Sequence, residues 1–277
     1  MSAGDSAAAL EALEADLLLE GVARHWGFDL RSHARPLLLR RLRQHLREER
    51  LASFSALQAR VLHDNEALEA LLRTLSCAEP TLFTDVAFFQ DFRARVVPVL
   101  RTWPSVRVWH VGCGTGEGTH ALAILLHEEG LWSRCRLYAS DACEGLLSDA
   151  RTGVVPLPDA AAAARYVETG GKGRLSSWYT RDGDWAQLRP ELRERIFFTQ
   201  HNLATDGSFN EFQVVVCRDV LLAFDRTLHD RAHTRLHESL ARFGFLCLGR
   251  KESLSRTPHA AAYEELEDTG RIFRRVT

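Results

Sequence analysis

Lysine is almost missing from this chain of 277 residues. Lys and Arg together number 35, and only Lys172 and Lys251 are lysines. A composition bias toward arginine accounts for that without any special role. Charge of one sign is missing too. The 35 basic residues face 37 acidic ones, for a net charge of −2, so no overall attraction to nucleic acid or to an anionic membrane is expected. No apolar run approaches the roughly 18 residues of a membrane span, and no secretory leader pattern opens the chain. The expectation is a cytoplasmic protein with no direct membrane insertion. The six cysteines, at 77, 113, 135, 143, 217 and 247, form no CxxC pair and no metal-ligand spacing, so no metal centre is expected. Cys113, Cys135, Cys217 and Cys247 fall in or beside apolar segments and read as small core residues in a reducing compartment.

What the chain does have is concentrated in residues 106–126. An apolar strand, Val106–Val111, runs into a loop with glycines at 112, 114, 116 and 118, and an apolar helix follows. Glycines at 112, 114 and 116 let the backbone turn tightly and approach a ligand, because no Cβ intervenes. Strand, glycine loop and helix in that order build nucleotide sites at the carboxyl edge of parallel sheets. A dinucleotide fingerprint needs glycine or alanine at 117, where this chain has Glu117, and no GK[ST] follows, which excludes a P-loop. The loop therefore favours an adenosyl ligand without a pyrophosphate, namely S-adenosylmethionine, and the alternative is a glycine turn that holds no ligand.

The chain divides in two. Residues 1–75 carry helical periodicity, with Leu10, Leu13 and Leu17 on one face and Leu38, Leu42 and Leu46 on another. Residues 76–105 connect. From 106 to 277 strands alternate with helices. Strands are expected at Val106–Val111, Arg136–Ala139, Arg195–Thr199, Phe212–Cys217 and Phe245–Gly249. Helices are expected at Thr119–Glu129, Glu144–Thr152 and Leu228–Phe243. This is the pattern of an α/β, doubly wound, mostly parallel, Rossmann-like sheet with both faces covered. Tyr263–Leu266 and Arg271–Val276, around Thr269 and Gly270, suggest an antiparallel pair at the sheet edge. An insertion at about 153–194 contains an Asp182-Gly183 turn between two short runs, a hairpin signal. Such an insertion is either a recognition element or a decoration.

Five segments in order resemble the chemotaxis-receptor methyltransferases, the CheR family, which esterify glutamates on receptor cytoplasmic coiled coils. They are HVGCGTGEG (His110–Gly118), YASD (Tyr138–Asp141), QHNL (Gln200–Leu203), CRDVLLAFD (Cys217–Asp225) and GFLCLGRKESL (Gly244–Leu254). EPTLFTDV (Glu79–Val86) looks like a worn copy of that family's interdomain motif. The resemblance spans nearly the whole chain, including the helical domain in front. It implies that Gly112, Gly114 and Gly116 wrap the methionine portion of the ligand, and that Glu117 either reaches its amino group or caps the next helix. It implies that Asp141 accepts the ribose hydroxyls, caps the next helix, or does both. Asn202 and Leu203 would frame the adenine. Cys217 and Arg218 would face the methyl group and substrate, with Arg218 and Asp219 as the catalytic candidates.

The departures are as informative. The interdomain motif normally reads N-x-T-x-x-F-R, and here Ala78, Pro80 and Thr84 stand for its asparagine, threonine and arginine. A one-residue slip restores the threonine as Thr81. After the fourth strand Asp219 replaces an asparagine and Ala223 a tyrosine, and Gly118 replaces a second glutamate in the glycine loop. A glutamate acceptor, with a pKa of about 4.3, is ionised near neutrality and needs no general base. Catalysis then rests on alignment, and each lost polar group costs about 2–4 kcal/mol, so two losses slow transfer roughly a thousandfold or more. The resemblance therefore implies either a glutamate methyltransferase of chemoreceptor-type proteins or a catalytically degenerate descendant that binds a signalling partner.

Arg40, Arg43, Arg47 and Arg50 recur at three- and four-residue spacing opposite Leu38, Leu42 and Leu46. They form either a solvated face or a dock for an acidic partner helix, such as a chemoreceptor-like coiled coil. Nucleic acid is not an expected partner. The sequence leaves open the receptor, the pathway and the oligomeric state.

Overall fold

The computed structural model describes residues 3–75, 82–208, 210–266 and 271–277. The chain forms two units. One is helical, made of residues through 75 together with Leu222–Arg231, and the other is built on a sheet.

The helical unit contains α1 (Ala3–Trp26), α2 (Arg35–Glu48), α3 (Phe54–His63) and α4 (Asn65–Leu75). Short polar side chains mark the starts. Ser53 Oγ accepts the Ala56 N–H at 3.2 Å before α3, and Asp64 Oδ1 accepts the Glu66 N–H at 2.8 Å before α4. Pro36 stands in the first turn of α2, where its missing donor costs nothing. Leu18, Leu19, Val22, Leu38, Leu42, Phe54, Leu57, Val61, Leu68, Leu71 and Leu72 are buried and make the core. Each contributes about 1.5–3 kcal/mol by leaving water. The evenly spaced Leu10, Leu13 and Leu17 do not join them. They are 57%, 54% and 49% exposed, on the outer side of α1.

The same unit takes in a segment from far along the chain. The Ala34 N–H donates to the Ala223 carbonyl at 2.7 Å, the Asp225 N–H donates to the Ser32 carbonyl at 2.7 Å, and His33 and Phe224 form a β-bridge between them.

The sheet unit opens with α5 (Val86–Asp91), a π-helical turn (Phe92–Val96) and α6 (Val97–Leu100). Pro98 lacks the N–H that an unbroken α-helix requires, and the widened turn absorbs the fault. The strands are β1 (Val106–Val111), β2 (Cys135–Asp141), β3 (Val154–Pro156), β4 (Tyr179–Asp182), β5 (Trp185–Leu188), β6 (Ile196–Gln200), β7 (Phe212–Cys217), β8 (Leu240–Leu248), β9 (Tyr263–Glu265) and β10 (Ile272–Arg275). The main sheet runs β6-β2-β1-β7-β8-β10-β9. Its first five strands are parallel, and β10 and β9 close the edge antiparallel. The helices between strands are α7 (Glu117–Glu128), α8 (Glu144–Thr152), α9 (Ala160–Glu168), α10 (Pro190–Arg193) and α11 (Arg226–Glu238). Every residue of β7 is buried, as expected of a strand covered on both faces. The doubly wound parallel sheet expected from the sequence is present. The turn expected at Thr269 and Gly270 lies outside the described residues.

Two local expectations are corrected. The helix read as Leu228–Phe243 stops at Glu238, and Leu240 starts β8 by pairing with Phe212. A register shift between Phe212 and Val214 interrupts this pairing, opposite the turned-out Phe243, whose φ is +66°. Gly244 is required there, because a Cβ would stand 2.8 Å from the Ala241 carbonyl oxygen. The insertion holds three strands rather than a hairpin alone, in the order β3-β5-β4, with Gly183 turning at φ +58°. Its alanine run is the helix α9, capped by Asp159 accepting the Ala162 N–H at 2.7 Å.

Candidate functional site

Strand order reverses between β1 and β7, and the crevice beyond their carboxyl ends is where open α/β sheets bind ligands. A cavity of about 110 Å³ lies there. Its walls include Phe83, Thr84 and Phe88, His110 of β1, Gly112, Gly114, Glu117, Arg218 and Asp219. A larger cavity of about 480 Å³ lies in the insertion, lined by Leu157, Tyr166, Leu175, Tyr179 and Ala186. It is apolar and holds no part of the glycine loop, so the smaller one carries the candidate chemistry.

The three loop glycines differ in what they do. Gly112 has φ +65°, and a Cβ would come within 2.4 Å of the Val220 side chain, so the residue lets two loops close on each other. Gly114 has φ +54°, with nothing within 4 Å of where its Cβ would be, which leaves an open cradle. Gly116 has φ +98° and precedes α7 as its cap, close to Ala150 rather than to the cavity.

Glu117 is the first residue of α7, where the helix dipole favours a carboxylate. It is buried and lines the cavity, and its Oε2 accepts the Thr115 hydroxyl at 2.6 Å, while the other oxygen has no hydrogen-bond partner among the described residues. Asp141 ends β2. Its Oδ2 accepts the Gly114 N–H at 3.0 Å, and its Oδ1 accepts the Cys143 N–H at 3.0 Å. Burial pushes its pKa up, although these donors act against the rise. Asp141 therefore ties the glycine loop to the loop after β2, two residues ahead of the cap position of α8. His110 lines the cavity with Nδ1 2.8 Å from the Thr119 hydroxyl. Burial, then the nearby charge of Arg218, lowers its pKa to about 4, which keeps the ring neutral near pH 7. Burial raises the Cys113 and Cys217 thiols well above their ordinary values, so neither is a nucleophile.

Cys217 is fully buried at the end of β7 and does not line the cavity. Asn202 and Leu203 follow β6. Asn202 Oδ1 accepts the Ala204 N–H at 2.9 Å and Leu203 is buried, and neither lines the cavity. Ala223 sits in the helical unit, with its carbonyl on Ala34. Ala78, Pro80 and Thr81 lie outside the described residues. Arg40, Arg43 and Arg47 are exposed on α2. Arg50, expected on the same helix face, is also exposed but lies beyond the helix end at Glu48, in a turn with φ +54°, so it does not continue the row. Arg43 Nε lies 2.6 Å from Glu11 Oε1, which ties one member of the row to α1.

Three residues that the sequence reading passed over organise the Arg218 side of the cavity. Asp85, the cap of α5, accepts the Phe88 N–H at 3.3 Å and pairs with Arg218 at 2.5 Å and Arg250 at 3.0 Å. Arg218 lies over the Phe88 ring at 4.4 Å. Glu252 is buried and accepts three backbone N–H groups, from Asp219 at 3.0 Å, Leu221 at 2.7 Å and Gly249 at 2.7 Å. Burial still pushes its pKa up. The Thr-Asp pair before an apolar helix was a readable cap signal for Asp85. The triple acceptor role of Glu252 had no local signal.

The donor set fits S-adenosylmethionine at one end. A free carboxylate oxygen on Glu117 and an open glycine cradle suit an ammonium and a close-packed amino-acid tail. The cavity is below the roughly 300–1,000 Å³ of a pocket that buries a whole drug-sized ligand, so it takes part of such a molecule. Among the described residues no group of three or more His, Cys, Asp or Glu is arranged for a metal ion. No described helix is long and apolar enough to cross a membrane.

Comparison with known proteins agrees with this architecture. Residues 79–269 match the family profile described as CheR methyltransferase, SAM binding domain, and residues 13–76 match CheR methyltransferase, all-alpha domain. A Pseudomonas putida protein that carries the name Cher3 is 39% identical over 95% of this chain and 97% of its own length. A chemotaxis protein methyltransferase of Listeria innocua is 25% identical over 84% and 87%, and chemotaxis protein methyltransferase 1 of Pseudomonas aeruginosa is 26% identical over the same shares. With both profiles matched in order along the two units, the chain belongs to the CheR methyltransferase family.

Proposed function

We infer that this protein binds S-adenosylmethionine at the glycine loop and transfers its methyl group to a side-chain carboxylate, a glutamate, of a chemoreceptor-type protein. One observation carries the reading. One cavity is lined by Glu117 and Gly114 together with Arg218. A zwitterionic ligand tail suits Glu117 and Gly114, and an anionic acceptor suits Arg218. S-adenosylmethionine, when bound, supplies a methyl group already activated by its sulfonium. Glu117 holds the ammonium, and Asp141 keeps Gly114 in the left-handed turn that opens the cradle. The neutral ring of His110 adds no positive charge beside the sulfonium. Arg218 draws the acceptor carboxylate into line. The acceptor is already an anion near neutrality, so no group has to take a proton.

The partner reading rests on the relatives' names and on the exposed arginine row of α2, which suits an acidic helix. The second reading, a protein that keeps the ligand and has lost turnover, is favoured by Thr84 on the cavity wall where the family keeps arginine. Calorimetry with S-adenosylhomocysteine and tritiated methyl transfer to receptor cytoplasmic fragments separate the two. Binding with transfer supports the enzyme. Binding without transfer supports the ligand-binding scaffold. No heat of binding defeats both.

A further inference from the structure

Thr84 stands where the family keeps an arginine, and the segment Glu79–Val86 around it contains none. The fold brings one from the other end of the sheet unit. We propose that Arg250, in the turn after β8, is the acceptor-binding arginine of this protein. Held beside Arg218 by Asp85, it recognises the carboxylate that receives the methyl group. This deepens the reading above and rests on it.

The argument begins with charge. Asp85, the neighbour of Thr84, has one carboxylate oxygen 2.5 Å from Arg218 Nη2 and the other 3.0 Å from Arg250 Nη2. Two guanidinium groups on one carboxylate leave this three-residue cluster with a net charge of +1, at the Arg218 side of a cavity that Asp219 and Glu117 also line. A second carboxylate, from an acceptor, completes the set. A neutral hydroxyl acceptor gains little from it, and an amine is repelled. The three side chains also divide the work by exposure. Asp85 and Arg218 are 12% and 17% exposed and form the fixed base, whereas Arg250 is 69% exposed and open to an incoming group. Arg218 itself has spare capacity, because its buried Nε–H has no hydrogen-bond partner.

Arg250 is also placed in advance. Glu252, two residues on, holds the Gly249 and Asp219 N–H groups at 2.7 Å and 3.0 Å with the same oxygen. The backbone on either side of the arginine pair is therefore stapled together before any acceptor arrives, which reduces the ordering cost of binding. The transfer itself balances without further groups. A carboxylate oxygen forms the new bond to the methyl carbon, the sulfonium carbon–sulfur bond breaks, and a neutral ester and thioether remain.

The test uses the full chain and two probes, N-acetyl-glutamate N-methylamide and its glutamine counterpart, titrated by ligand-observed NMR with and without S-adenosylhomocysteine. The expected result is that the wild type prefers the glutamate probe, and that Arg250→Ala weakens it by about tenfold, the scale of one charged hydrogen bond. The glutamine probe should change little, Arg250→Lys should fall between, and S-adenosylhomocysteine affinity should stay within about twofold of wild type, as for an exposed substitution away from the cofactor wall. With receptor fragments the same variant should raise KM far more than it lowers kcat. Equal binding of the glutamate probe by wild type and Arg250→Ala would overturn the assignment. So would no preference for glutamate over glutamine in the wild type, or equal weakening of both probes. If S-adenosylhomocysteine fails to bind while the glutamate probe still discriminates, the functional reading fails and the clamp stands.

Discussion

Glu252 accepts the backbone N–H of Asp219 at 3.0 Å, joining positions 33 residues apart and fixing the turn in which Asp219 stands at φ +62°. A non-glycine residue there is strained. The strain is tolerated because one buried carboxylate holds the N–H groups of Asp219, Leu221 and Gly249 together. Glu252→Ala leaves three donors without an acceptor, at about 1–3 kcal/mol each. The expected outcome is a loss of about 3 kcal/mol or more in urea unfolding, together with weaker S-adenosylhomocysteine binding. Glu252→Gln should recover only part of the loss, since its amide nitrogen would face a backbone N–H. A stability within experimental error of wild type for the alanine variant would dismiss the staple.

The glycine loop offers a contrast between two alanine substitutions. At Gly112 the new Cβ meets Val220 at 2.4 Å, and at Gly114 it meets nothing within 4 Å. Both residues are left-handed, so each substitution costs about 1–2 kcal/mol from the backbone alone. Gly112→Ala adds overpacking of about 1–3 kcal/mol and should lower the melting temperature more. Gly114→Ala should fold nearly as well yet bind S-adenosylhomocysteine at least about tenfold more weakly, because its methyl stands in the cradle. Paired melting curves and calorimetry check the crossover. If Gly114→Ala binds as wild type does, the ligand lies elsewhere.

Acid should destabilise the fold through its buried histidines. Burial, with the charge of Arg193 second, lowers the pKa of His120 from 6.5 to about 4, and the ring is 1% exposed. A pKa depressed in the folded state gives stability that is present above the unfolded value and lost as pH falls through the folded one. The window therefore runs from about 6.5 down to about 4, and the ring accounts for about 3 kcal/mol across it at 1.36 kcal/mol per pH unit. Urea titrations across that window should show the decline, and His120→Leu should flatten it. His110 titrates in the same range inside the cavity beside Arg218, so S-adenosylmethionine, a cation, should lose affinity there faster than S-adenosylhomocysteine.

The arginine row of α2 should govern partner capture. Contacts made by Arg40, Arg43 and Arg47, and by Arg50 just past the helix end, are screened within about 8 Å at physiological ionic strength, so binding of an acidic receptor helix should weaken as salt rises. Arg40→Glu with Arg43→Glu should abolish capture of a receptor cytoplasmic fragment. Stability should change little, because both arginines are exposed and the Arg43–Glu11 pair is open to solvent. Unchanged capture would make the row a solvated face and shift attention to the insertion.

Local signals explain what was legible beforehand. Val106–Val111 and Phe212–Cys217 were readable to the residue because valine and aromatic residues dominate both, with Arg107, His110 and Gln213 the polar interruptions. The glycine loop was readable because positive φ demands glycine. Leu10, Leu13 and Leu17 show where periodicity fails. Regular spacing identifies a face of α1, but which face turns inward is set by neighbours distant in sequence, and the core took Ala15, Leu18, Leu19 and Val22 instead. Asp85, Arg250 and Glu252 were invisible for the same reason. Each acts on groups brought near by the parallel crossovers, and no spacing rule links position 85 to position 250.

The strip Leu222–Arg231 has a consequence for how this chain comes into being. On the ribosome α1 to α4 emerge before the sheet, yet the carbonyl that Ala34 uses belongs to Ala223, and the one Asp225 uses belongs to Ser32. This helical segment must wait, incomplete, until β1 through β7 have been synthesised. A gene fragment ending near residue 77 would accordingly yield a frayed bundle, and fusing residues 222–231 to it through a flexible tether should restore its cooperativity.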